Sequence, residues 1–257
     1  MHLEGSCRRY FIEFYSNAHV NLDRNLLLYL YNHGLIISVS HVMEKQLRFL
    51  GVESRIFVCG NGVDISLIDK VSPGNLLFDG IFVGRLVSDK GISETLRIFE
   101  EVCHKNAEAK FAFVGGGDMH AIDALRREIA KRGIRKNVSV LGYVGERERL
   151  FELMKRSKVF IYPTHLESWG TVVGEALACG QPVICYDLPV FKELFNCEAV
   201  RMCDEGNVDQ MIAEVERLIQ DPAERNRLGR IGRDFVKKYS WDEAARREAQ
   251  IYRLIAE

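Results

Sequence analysis

"KVFIYPTHLESWGTVVGEALACGQPVICYD", residues 158–187, decides the reading of this chain. Its two ends are short, rich in Val and Ile, and lack the polar alternation of a half-exposed strand, so both predict buried strands. Between them Gly170 opens a run of small apolar residues that Gly180 closes, the grammar of a short buried helix. Glu167 stands before that glycine and Glu175 after it. The stretch therefore predicts strand, loop, helix and strand, with one acid in the loop and one in the helix.

Working outward, the same alternation continues in both directions. "LLFDGIFVG", "KFAFVGGG", "NVSVLGYV" and "EAVRMC" predict strands. "ISETLRIFEEVCHK", "MHAIDALRREIAKRG", "ERERLFELMKRS" and "PVFKELFN" predict helices, and helices follow from 207 to the end. Short Val/Ile strands separated by helices predict an α/β fold with a parallel sheet covered on both faces. Before residue 62 the pattern is mixed. "RRYFIEFYSNAHVNLDRNLLLYLYN" predicts helix, "LIISVS" a strand, "HVMEKQLRFLG" a helix and "SRIFVCG" a strand. Gly62, Pro73 and Gly74 mark a boundary near 62–75. This divides the chain into 1–62, 63–240 and a terminal helix over 241–257, which Ser240 caps with Glu243 three residues on.

A hydrophobic share of 47% and a charged share of 28% belong to a soluble globular protein. The formal charge of −1 gives no general attraction to nucleic acid. Seven cysteines are scattered without CxxC or metal-ligand spacing, as reduced thiols in the cytoplasm would be. "MHLEGSCRRYF" places an acid and two arginines where a leader needs an apolar core. Asn25 to Val42 carries no formal charge, but "NHG" interrupts it, so a helix, a turn and a strand are expected rather than a membrane span.

In an open parallel sheet, ligands sit beyond the carboxyl ends of the strands. "GRLVSDKG" puts Gly84, Arg85 and Lys90 at one such end, with Gly91 before a helix. Cations near a helix N-terminus suit a diphosphate, although solvated loop charges would look the same. "GGGD", with Gly116 in its middle, lets backbone approach a ligand but is a weak signal alone. In one unbroken helix over 167–175 the glutamates would lie about 12 Å apart along the axis. That exceeds the roughly 5–9.5 Å at which paired carboxylates share one glycosidic bond. Gly170 instead starts the helix after Glu167. The backbone N–H groups of Ser168, Trp169, Gly170 and Thr171 then form an anion cradle with a carboxylate on either side. Carboxylates accept from paired hydroxyls, so the site suits a sugar, phosphates and a ribose in a row. Acids are also favoured in a first helical turn for structural reasons, but a buried Glu175 needs a partner.

"GRLVSDKG", "FVGGGD", "VSVLGYV" and "YPTHLESWGTVVGEALACGQPVI", in this order, resemble the retaining nucleotide-sugar glycosyltransferases of the GT4 class. The resemblance covers about residues 35–257 and implies a GT-B-like fold. The C-terminal Rossmann-like domain would be complete and the N-terminal one a truncated remnant, with the last helix packing back on the latter. It also implies roles. Arg85 and Lys90 would hold the donor diphosphate, Glu167 the sugar hydroxyls and Glu175 the ribose. The backbone of Gly142, Tyr143 and Val144 would touch the base. His2, in "MHLEG", would reach the donor sugar from the N-terminal side. Such enzymes use no metal and no cofactor beyond the nucleotide sugar, and no Asp-x-Asp is present.

The departure from the pattern lies in the first domain, whose early strands and glycine loop are missing. A nucleotide-sugar-binding module, inactive unless another chain supplies that half, is the alternative. An epimerase of GT-B shape is a third reading. GDP-mannose, UDP-glucose and UDP-N-acetylglucosamine all fit as donors. The acceptor would be a glycan, a lipid-linked molecule or a small molecule. "RRYFIEFY" and "NLLLYLY" suggest peripheral contact with the cytoplasmic face of a membrane, or a dimer or partner chain covering the incomplete domain.

Overall fold

The computed structural model describes residues 31–117 and 119–256. His2, Cys7, "RRYFIEFY" and most of the first expected helix lie outside the described residues. β1 (Ile36–Ser38) and β2 (Ile56–Val58) form a two-stranded parallel sheet with α1 (His41–Phe49) between them. A short helix, α2 (Ile65–Lys70), follows. It lies within the boundary region at 62–75, where the Asp64 side chain accepts the Leu67 N–H at 3.0 Å and caps a single turn and a half.

The main sheet is built from β3 (Phe78–Val83), β4 (Phe111–Val114), β5 (Val138–Gly142), β6 (Ser157–Tyr162), β7 (Val183–Tyr186) and β8 (Val200–Cys203). Its order is β5-β4-β3-β6-β7-β8, and every pairing is parallel. The chain winds outward from β3 through β5, then returns to the other side of β3 at β6. The strand order reverses between these two central neighbours, so their carboxyl ends frame a crevice.

Helices cover the sheet: α3 (Ile92–Lys105), α4 (Met119–Lys131), α5 (Arg147–Lys155), α6 (Thr171–Ala178), α7 (Pro189–Leu194), α8 (Val208–Gln220) and α9 (Pro222–Val236). In α8 the buried positions Val208, Met211, Ile212, Val215, Leu218 and Ile219 repeat at three and four residues, one apolar stripe against the sheet. In α3, Phe99 stacks on Phe111 of β4 at 4.3 Å between ring centres. All four residues of β4 and of β7 are buried, which is why these strands read as continuous apolar runs.

The small N-terminal sheet has its own apolar cluster of Ile36, Met43, Leu47 and Val52. Three joints tie it to the rest. Ser40 caps α1 through the Met43 N–H and also donates to the Ser168 carbonyl at 2.9 Å. The Glu193 carboxylate accepts the N–H groups of His41 and Val42 at 2.8 and 2.9 Å, an anion on a helix N-terminus. The last helix, α10 (Trp241–Ala256), meets the linker, where Arg247 donates to the Cys59 carbonyl at 2.8 Å. Among the described residues no helix is long and apolar enough to cross a membrane.

Candidate active site

The crevice between β3 and β6 is closed at its floor by a glycine. A one-turn 3₁₀ segment, Ser88–Lys90, ends at Gly91, whose φ is +70°. A Cβ on Gly91 would fall 1.9 Å from the Pro163 carbonyl oxygen. Only glycine allows both that backbone angle and that approach. The turn bearing Lys90 is thus pressed onto the loop bearing Glu167. Asp89 completes the joint: its carbonyl accepts from the His165 N–H at 2.9 Å and the Thr164 hydroxyl at 3.2 Å.

Lys90 is only 7% exposed. Its ammonium donates to the Leu166 carbonyl at 2.7 Å and to Glu167 Oε1 at 2.8 Å. The same Oε1 accepts the Tyr162 hydroxyl at 2.5 Å. Burial, and next the Glu167 charge, push the Tyr162 phenol well up, so it stays protonated and donating. An ammonium has three donors; two are hydrogen-bonded here, and Asp89 Oδ2 forms an ion pair with the same nitrogen at 3.7 Å. Lys90 is therefore a buried cation at the carboxyl end of the sheet rather than a solvated loop charge. Arg85, two residues past β3, is exposed and enters no ion pair or hydrogen bond among the described residues.

Beyond Glu167 the chain turns at Gly170, φ +87°, and α6 begins at Thr171. A Cβ on Gly170 would fall 2.6 Å from the Phe191 ring. None of the N–H groups from Glu167 to Val172 donates to an acceptor among the described residues. A run of open donors at a helix start is an anion-binding arrangement. Trp169 contributes through its backbone alone. Its ring is buried, edge-on to Phe195 at 5.1 Å and to Tyr239 at 5.3 Å, so the expectation of a donor contact does not extend to its indole. Asn61 of the linker donates to the Thr171 hydroxyl at 3.1 Å.

Glu175 lies in the second turn of α6 and is 3% exposed. Its partner is Arg147, the first residue of α5, whose Nη2 donates to Glu175 Oε1 at 2.5 Å. Burial raises the Glu175 pKa above the ordinary carboxylate value, the Arg147 charge opposes this, and the Asp64 charge adds to the rise. The remaining strand ends are laced by backbone. Gly84 donates to the Val114 carbonyl at 3.0 Å, Leu86 to Gly116 at 2.8 Å and Gly115 to Gly142 at 2.8 Å. Tyr143 stands exposed over Gly116, and Val144 packs on the core.

The structure thus brings Lys90, Glu167 and the amide run together at one crevice and sets Glu175 one helical turn behind. Sequence reading missed Tyr162, which looks like one more apolar strand residue, and Arg147, which sits in a run of alternating charges. It also missed His165. That imidazole bridges Glu94 at 3.0 Å and Glu205 at 2.8 Å, holding the loop from its outer side.

Residues 78–235, which hold all six strands of the main sheet and most of its helices, match the family of Glycosyl transferases group 1. The chain belongs to that family. It is 30% identical over 179 residues to the uncharacterized glycosyltransferase MJ1607 of Methanocaldococcus jannaschii, covering 69% of this chain and 45% of that one. It is 24% identical to the O-antigen chain mannosyltransferase B of Escherichia coli, with 68% and 45% covered. The chain therefore spans about half the length of these relatives. In three dimensions it is similar to TarM of S. aureus, solved with Fondaparinux, alpha-GlcNAc-glycerol and UDP. There the TM-score is 0.77 at 18% identity, over 92% of this chain and 49% of that one. That likeness establishes a GT-B-type α/β fold for the group 1 chain.

Proposed function

We propose that this group 1 glycosyltransferase chain moves a sugar from a nucleotide-diphosphate sugar to an acceptor, with retention of configuration and without a metal. The observation that carries the reading is the meeting of a buried Lys90, a fixed Glu167 and the open amides from Glu167 to Val172 at the strand-order reversal. The third Lys90 donor, the amides and the exposed Arg85 would share the diphosphate. Negative charge grows on the leaving nucleotide as the glycosidic bond breaks, and preorganised donors stabilise it most where it is largest. Glu167, held by Lys90 and Tyr162, would accept from sugar hydroxyls and orient the anomeric carbon. Glu175 would take the ribose, and the Gly142–Val144 backbone the base.

The E. coli relative is named a mannosyltransferase and the TarM structure carries UDP, so GDP- and UDP-sugars are the donors to test first. His2 would complete the donor site from the N-terminal side, where the acceptor would also bind. The decisive experiment combines calorimetry with UDP and GDP and a nucleotide-release assay with GDP-mannose, UDP-glucose and UDP-N-acetylglucosamine. Binding of one nucleotide together with acceptor-dependent release supports transfer. Binding without release in the presence of any acceptor would favour a donor-binding module. Release with epimerised free donor would favour an epimerase.

A further inference from the structure

The buried carboxylate of Glu175 poses a physical problem that its neighbours solve in an uneven way. It sits on a helix whose other buried residues are Val173, Gly174, Ala176, Leu177 and Ala178. In such surroundings an isolated carboxylate takes up a proton. Asp64, capping α2, faces it with like charge. On its own helix Cys179 is a thiol pushed up to about 12, hence neutral, with Lys155 and Arg233 acting on that thiol. The cation bonded to Glu175 is Arg147, which reaches it from α5.

Arg147 is built for this reach. Its guanidinium lies over the ring of the fully buried Phe151, 4.8 Å from the centroid, so the arm is steadied from below. Among the described residues it bonds Glu175 through Oε1 alone. Oε2 accepts no hydrogen bond among the described residues and is not sealed from solvent. Arg147 also follows directly on the Gly142–Glu146 loop, so base loop and carboxylate are linked through one residue.

We infer that Arg147 is the positioning residue of the donor's ribose subsite, anchoring one oxygen of Glu175 and leaving the other as an acceptor for the ribose hydroxyls. This rests on the reading of Glu175 as the ribose ligand and extends it. Arg147 acts through Glu175. A planar guanidinium both orients and charges the carboxylate, which an ammonium does less well.

The test uses calorimetry of UDP and GDP, and of their 2′,3′-dideoxy forms, with the whole chain and the variants R147Q, R147K and E175Q. Wild type should bind one ribonucleotide, and its affinity at each pH between about 6 and 8 is the reference for the variants, because the terminal phosphate of the nucleotide titrates in that range for all of them alike. R147Q should bind it about tenfold more weakly near neutrality, the scale of one hydrogen bond to a charged group. That loss should deepen as pH falls, because the unsupported carboxyl protonates, and shrink as pH rises. R147K should recover part of the affinity. The dideoxy nucleotide should bind wild type and R147Q alike. A ligand-free readout accompanies this: the side-chain 13C titration of Glu175 should move to higher pH in R147Q. An unmoved titration, an unchanged pH profile, or equal losses for ribo and dideoxy nucleotides would overturn the assignment. If E175Q binds the ribonucleotide as wild type does, the ribose reading itself fails. If E175Q is weakened while R147Q is not, only the role of Arg147 fails.

Discussion

The two glutamates flanking Gly170 are both screened from water, and each is met by a cation from a distant segment, Lys90 from the turn after β3 and Arg147 from the start of α5, yet they are held differently. Glu167 Oε1 takes two donors, Lys90 and Tyr162, inside a joint locked by Gly91 against Pro163. Glu175 takes one donor, from Arg147, whose side chain is 49% exposed; in both residues Oε2 accepts no hydrogen bond among the described residues, so the difference lies in the number and burial of the donors on Oε1. The first arrangement fixes a carboxylate to within its bonds, as suits a group that must orient a reacting sugar. The second holds a carboxylate by one half-exposed arm, as suits one that must accept and release a ligand. The same residue type is thus rigid or receptive according to how many of its lone pairs the fold has already filled.

The strongest way to break this contrast is Lys90→Ala. It removes the cation from a buried pair and leaves Glu167 and the Leu166 carbonyl short of a donor. Breaking such a pair costs about 3 kcal/mol, read as a lowered denaturant midpoint. Nucleotide release should also fall by more than about 100-fold, the scale of losing one transition-state donor. A variant as stable and active as wild type would make the Glu167 joint no tighter than that of Glu175. Arg85→Ala comes next and separates chemistry from structure. Arg85 is exposed and unpaired among the described residues, so stability should stay within about 0.5 kcal/mol. Turnover should fall about 100-fold with a smaller change in nucleotide affinity, because charge on the leaving group peaks in the transition state. Equal losses in turnover and affinity would make Arg85 a ground-state contact only.

Much of this frame can be read from residues alone, and the misreadings have physical causes. Val/Ile runs bounded by glycines announce the parallel strands because a strand buried on both faces has no polar alternation to show. Gly170 announces the start of α6 because a φ of +87° beside Phe191 excludes other residues. What stays hidden is the pairing between loops. Arg147 precedes Glu175 by 28 positions, and no local spacing joins them. Tyr162 counts as strand until its hydroxyl is seen on Glu167. The place of the Trp169 ring is also hidden: Phe195 and Tyr239 draw it into the core, and only its backbone remains at the crevice. α2 escapes because it has one buried side chain, Ile68, and no long apolar stripe, while its ends are met by the Asp64 cap and by Lys155, which donates to the Ile68 and Val71 carbonyls.

Tyr162→Phe sharpens the contrast with a smaller effect. It removes one of the two bonds to Glu167 Oε1 and leaves Lys90 in place. The cost should be about 1 kcal/mol, the worth of one hydrogen bond. A loss as large as that of Lys90→Ala would show that the phenol, and not the ammonium, fixes the carboxylate.

The smallest effect tests the outer side of the Glu167 loop, where His165 lies between Glu94 and Glu205. Burial works against its charge, but the bonds to Glu94 and Glu205 prevail and raise the His165 pKa, while the His165 bond helps lower that of Glu94. A raised imidazole pKa contributes stability that is fully present below the unfolded value, about 6.5, and is lost as pH rises through the folded one. The lowered Glu94 value contributes above the unfolded glutamate range and is lost in acid. The two together stabilise the loop most between about pH 5 and 6. With the imidazole 35% exposed, solvent screening holds the effect below about 1 kcal/mol. His165→Gln should therefore lower the denaturant midpoint near pH 5.5 and converge on wild type above about pH 8. A deficit independent of pH would mean that His165 holds the loop by packing on Tyr186, 5.2 Å away between ring centres, and not by charge.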